Sequence, residues 1–223
     1  VGPIINMLIG LFLGLSSGAS VVIAQYYGAD RRDKVQDAVH TSMLMTLLMG
    51  VVFTAAGILL APTMLRLMKT PANVFPASQE YLVIYFAGVL GLMVYNIGSG
   101  ILRAVGDSTR PFYFLVVSAV INTVLDLVFV LVFDMGVAGV AWATIIAQGV
   151  SALLVVLTLM HSHTCIRLRL RELRIKFDVL KQILFIGVPA AVQMAITAFS
   201  NVFVQSYILS LIHISEPTRL RRI

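Results

Sequence analysis

Five stretches of this chain, residues 1–29, 38–65, 81–102, 135–166 and 182–208, contain no Asp, Glu, Lys or Arg, and each is at least 22 residues long. A helix needs about 20 apolar residues to cross the ~30 Å hydrocarbon core of a bilayer. A sixth stretch, 111–133, is apolar apart from Asp126. The pattern predicts helices over 3–27, 38–66, 80–102, 111–133, 137–160 and 182–208. Pro3, Pro111 and Pro189 fall near helix starts, where a missing N–H costs least. The runs are continuous rather than alternating, which excludes a transmembrane β-barrel. The first run is too long for a signal peptide, has no basic leading region and is followed by further spans.

Composition excludes the soluble alternatives. The chain is 59% hydrophobic and 12% charged, where a soluble domain has about 45–50% and about 25%. Its mean hydropathy is +0.97. That leaves too little polar surface for an ordinary cytosolic enzyme, a coiled coil or a disordered tail. The single cysteine, Cys165, permits neither an internal disulfide nor a Cys-based metal cluster. The expected fold class is all-α, a polytopic membrane helix bundle.

Lysine and arginine set the orientation. The first, third and fifth connections hold eleven of them, and the second and fourth hold two. By the positive-inside rule, loops 28–37, 103–110 and 162–181 are cytoplasmic and Val1 lies outside. An external start implies a preceding helix beyond this sequence. The net charge of +6 then reflects topology and contact with anionic lipid. Nucleic acid is not an expected partner, because no basic patch is interleaved with aromatics.

Several side chains stand out against the apolar background. Gly10, Gly14 and Gly18 recur every four residues and place three hydrogen-only positions on one helix face. Close helix packing is the first reading and a pore lining the second. Asp126 needs a partner, since an acid in a spanning helix costs about 2.5–3.5 kcal/mol on insertion scales. Asn122 lies one turn deeper on the same face. The Asp134-Met135-Gly136 turn folds the next helix back antiparallel, which brings Thr144 to about the depth of Asp126. Carboxyl, amide and hydroxyl oxygens so placed suit proton uptake or a hard cation such as Na⁺. A neutral carboxyl bonded for packing is the alternative. Gln193, Thr197 and Asn201 form a polar stripe on the last helix, facing a cavity or bonding another helix. His40, His161 and His163 sit near helix ends and read as interfacial anchors. No zinc-protease, nucleophile-elbow or phosphate-loop motif occurs, so no enzyme, cofactor or metal centre is expected.

Residues 209–219, LSLIHISEPTR, are similar residue for residue to the translation of a transposon-end sequencing adapter. Glu216, Arg219, Arg221 and Arg222 also place charge directly after a span. Natural sequence is therefore expected to stop near Ile208, with a cloning or assembly scar over 209–223; a genuine polar loop is the alternative.

The stretch 68–114 resembles the multidrug and toxic compound extrusion (MATE) transporters. The likeness rests on Met68 and Pro71, then Tyr81, Leu82 and Ile84, then Arg103, Ala104, Gly106, Asp107 and Pro111. The runs INTVLD…GVAGVAWATIIAQ (121–148) and GLSSGASVVIAQYYGA (14–29) match as well. The resemblance implies an exporter of two six-helix lobes in a cell (cytoplasmic or inner) membrane, moving organic, often cationic, compounds against H⁺ or Na⁺. Residues 1–161 would be five helices of the amino-terminal lobe, 162–181 the basic inter-lobe linker and 182–208 the first helix of the second lobe. The rest of the transporter would lie outside this sequence. Asn122, Asp126 and Thr144 fall on family positions tied to amino-lobe coupling. The family's first helix is absent, and Thr197 stands where some members carry a second-lobe acid, which favours protonation at Asp126. A lipid-linked oligosaccharide flippase of the same superfamily is the runner-up; the absence of Lys and Arg from the natural spans counts against it. A non-functional truncated fragment is the remaining reading. Gly106 and Asp107 are expected to make a tight turn with positive φ and a helix cap.

Overall fold

The computed structural model describes residues 2–67 and 72–219, with residues 2–9, 11, 67, 198–199, 201–203 and 205–219 described by backbone only. Six long helices appear: α1 (Gly2–Gly28), α2 (Arg32–Leu67), α3 (Phe75–Ala104), α4 (Thr109–Leu127), α5 (Gly136–Met160) and α6 (Phe177–Arg219). A π-turn, Val128–Val132, extends α4, and a short 3₁₀ turn, Leu170–Glu172, interrupts the connection before α6. The all-α class holds, and the helices follow the charge-free runs. Among the described residues, α2, α3, α4 with its extension, α5 and the first part of α6 are long and apolar enough to cross a membrane.

Where helices overrun the apolar stretches, they do so at charged ends. α2 begins at Arg32 rather than near residue 38, and Asp33 in its first turn favours the positive helix terminus. α6 begins at Phe177 rather than near residue 182, with Asp178 in the same role. A helix need not stop at the hydrocarbon boundary, because its polar end finds water and headgroups there. α6 is 43 residues long, about twice what one crossing requires. The Met68–Pro71 portion of the family-like loop lies outside the described residues.

Packing is concentrated at one end of the bundle. Val22 and Ile23 of α1, Val35 and Val39 of α2, Ile101 and Leu102 of α3, Leu159 of α5 and Ile183 of α6 form its main core with linker residues Ile166 and Leu168. A smaller cluster of Ala61, Leu65, Leu82 and Phe86 joins α2 to α3. The connections after α1, α3 and α5 meet at the first of these ends, where Tyr27, Asp107, Arg110, His161 and Thr164 border one hollow. The three basic connections therefore share a side. In contrast, α4 buries only Pro111 and Ser118.

Turn chemistry follows the sequence. Gly106 takes φ +92°, which a side chain would resist, and Asp107 Oδ1 accepts the backbone N–H of Arg110 at 3.1 Å to cap α4. At the opposite end, Asp134 and Gly136 take positive φ to reverse the chain into α5.

Candidate functional site

The glycine face of α1 lies against α6. A methyl group on Gly18 would sit 2.6 Å from Gly187 Cα, and one on Gly14 would strike the Ala191 backbone. Gly10 is looser, with Met194 Cβ at 3.5 Å from such a methyl group. Position numbers rise along α1 as they fall along α6, so the pair is antiparallel. Backbones this close gain dispersion along their whole contact, the main attraction available between helices in lipid. Near the basic end, Tyr26 Oη donates to Gln182 Oε1 and closes the same seam.

The polar face of α4 is only partly satisfied. Asn122 and Asp126 are half-buried on one side of the helix, one turn apart. Asn122 Nδ2 and Asp126 Oδ1 are each shielded from solvent and have no hydrogen-bond partner among the described residues. An unsatisfied buried polar group costs about 1–3 kcal/mol. A donor and an acceptor left open one turn apart on one face make a place where an added proton, cation or polar ligand gains what the protein has withheld. No group of three His, Cys, Asp or Glu side chains able to hold a metal occurs among the described residues. A cation at Asp126 would therefore draw its other ligands from amide, hydroxyl or backbone oxygens, a donor set suited to Na⁺.

Thr144 does not complete this pair in the expected way. Its hydroxyl donates to Val140 O at 2.9 Å within α5. Its depth also differs from the sequence expectation. The Ser118 hydroxyl donates to Ala147 O at 2.9 Å and fixes the register of α4 on α5. Sixteen residues separate Ser118 from Asp134, while eleven separate Gly136 from Ala147. From that bond outward, Thr144 lies about 4.5 Å along its helix, Asn122 about 6 Å and Asp126 about 12 Å. Thr144 is thus level with Asn122 and more than a turn deeper than Asp126. The π-turn, in which Phe133 N bonds Val128 O, contributes about one residue of this offset, because the wider coil spends a residue without advancing.

The stripe on α6 faces away from α1. Gln193 and Thr197 are exposed, and the Thr197 hydroxyl donates to Gln193 O at 2.9 Å. The side chain of Asn201 lies outside the described residues.

Sequence reasoning missed a clasp at the basic end. His40 is 2% exposed rather than an interfacial anchor. Its Nε2 accepts the backbone N–H of Arg169 at 3.1 Å, which requires the neutral ring with its proton on Nδ1. Next to it, Thr41 Oγ1 accepts the Lys176 N–H at 3.1 Å and donates to Arg174 O at 3.4 Å. Asp37 pairs with Arg174 at 2.8 Å. One turn of α2 thereby holds the connection between α5 and α6. The available signal was a polar His-Thr-Ser run near the start of the charge-free stretch 38–65.

The MatE family model matches residues 1–128. The chain is similar to the probable multidrug resistance protein YpnP of Bacillus subtilis, 33% identical over 93% of this chain and 46% of that protein. It is also 33% identical to the probable multidrug resistance protein YoeA of the same organism, over 92% of this chain and 46% of that protein. Among solved structures, an outward-facing multidrug resistance MATE family transporter of the MOP superfamily superposes with a TM-score of 0.85 at 28% identity. That match covers 92% of this chain and 46% of the transporter. The chain therefore spans about half the length of the relatives it matches.

Proposed function

The chain belongs to the MatE family, and on that footing we propose that it forms most of the amino-terminal lobe of a secondary active multidrug exporter. In this reading residues 1–161 are five lobe helices, 162–181 the inter-lobe linker and 182–208 the opening helix of the second lobe. Residues 209–223 are a sequencing scar. The complete transporter exchanges organic cations for H⁺ across a cell membrane, with the bilayer and the rest of its own chain as partners. It performs no covalent chemistry and needs no cofactor beyond the coupling ion.

The observation that carries this reading is the open pair on α4, Asn122 Nδ2 and Asp126 Oδ1. Proton binding removes the charge of Asp126 and lowers the cost of enclosing that face. Substrate binding favours the arrangement in which the proton leaves. Each ligand shifts the equilibrium only by its difference in affinity for the two states.

The test is Asp126→Asn in the complete transporter containing this chain, with cationic dye efflux followed in vesicles energised by a proton or a sodium gradient. Loss of proton-driven efflux with dye binding retained is the expected result. Undiminished proton-driven efflux overturns the role of Asp126, and wild-type transport driven by sodium alone moves the coupling to Na⁺.

A further inference from the structure

We propose that the connection between α5 and α6 forms a groove for the headgroup of an anionic phospholipid, with Arg167 and Arg171 facing the phosphate. The groove is an open surface hollow of about 610 Å³, bordered by Met160 and by residues 167–172. Its floor is anchored. Leu168 N bonds Leu159 O at 3.0 Å, and Arg169 N bonds His40 Nε2 at 3.1 Å. Ile166 and Leu168 are buried against the bundle, while Arg167 and Arg169 alternate outward as extended backbone requires. The 3₁₀ turn then brings Arg171 to the same groove.

Charge is left over at this site. Glu172 neutralises Arg169 at 2.9 Å, but Arg167 and Arg171 make no ion pair among the described residues. Guanidinium groups match phosphate oxygens in two-point geometry, and a fixed backbone lowers the entropy cost of holding them there. The position selects a lipid over free phosphate. Met160 ends one apolar helix and Phe177 begins the next, so the groove lies at the membrane surface on the basic side. Leu170 in the groove is 53% exposed, and Phe177 at the start of α6 is 81% exposed. Those apolar groups gain cover from acyl chains and none from a dissolved anion. Basic segments next to a span also sense the negative cytoplasmic leaflet.

The experiment purifies the whole chain in detergent with equal phosphatidylglycerol and phosphatidylcholine, and counts retained lipid by native mass spectrometry. Preferential retention of phosphatidylglycerol is expected, falling about thirtyfold in Arg167→Gln/Arg171→Gln and surviving in Arg167→Lys/Arg171→Lys. The charge-matched control Arg31→Gln/Arg32→Gln, in the connection after α1, should keep the preference. Equal loss in the control, or no loss in the test variant, overturns the site. Complete displacement of the lipid by millimolar inorganic phosphate overturns its assignment to lipid.

Discussion

His40 of α2 and Arg169 of the α5–α6 connection, 129 positions apart in sequence, share a 3.1 Å hydrogen bond from the Arg169 backbone N–H to the His40 ring. The bond is part-buried and ties the connection to α2. His40→Ala should therefore cost about 1–3 kcal/mol and raise thiol labelling of Cys165 as the connection loosens. His40→Gln, which restores an acceptor, should recover much of the loss. Thermal unfolding in detergent and timed maleimide labelling measure the two effects.

Gly18 tolerates no side chain toward α6, because the Gly187 backbone occupies the space. Gly18→Leu should destabilise the α1–α6 pair by about 1–3 kcal/mol or more. Gly10→Ala should stay close to wild type, since its methyl group meets Met194 at ordinary contact distance. Melting of the two variants side by side separates backbone crowding from a general intolerance of α1.

The Ser118–Ala147 bond joins α4 to α5 inside the membrane. Single interhelical hydrogen bonds in this setting average about 0.6 kcal/mol. Ser118→Ala should cost about that much, measurable as a small drop in melting temperature with helix content unchanged.

Asp126 should behave oppositely for stability. Replacement by Leu removes a buried polar group with an open oxygen and should stabilise the chain by about 1–3 kcal/mol. Thr144→Val should change stability by less, about 0.5 kcal/mol, because its hydroxyl bonds only its own helix. A destabilised Asp126→Leu would show that the carboxyl is needed for packing rather than held for a ligand.

Sequencing of the native locus across codons 200–225 and both flanks checks the proposed end of natural sequence. The frame should depart from the present chain near Ile208 and continue into further apolar segments. Recovery of LSLIHISEPTR from the native locus would establish residues 209–219 as natural.

The charges made much of the fold legible. Gaps between Asp30, Arg66, Glu80, Arg103, Asp134 and Arg167 marked the spans because ionised side chains are costly in hydrocarbon. Gly106 disclosed its turn through the left-handed backbone it permits. The relation of Thr144 to Asp126 was not legible, because counting inward from a turn assumes equal rise on both limbs. Nothing in Val128–Val132 announces a π-turn. The role of His40 was hidden for another reason: its partner is a backbone N–H, and any residue other than proline supplies one.

The π-turn after Asp126 also changes how relatives should be compared. Loss of one residue from 128–132 would return the segment to ordinary α-helix. Such a deletion appears in an alignment as a gap in mid-helix, with no loop to absorb it. Positions before the gap, Asn122 and Asp126 included, keep their phase against α5. Positions after it swing by about 100°, so two chains can agree at the acid and disagree at every residue beyond it.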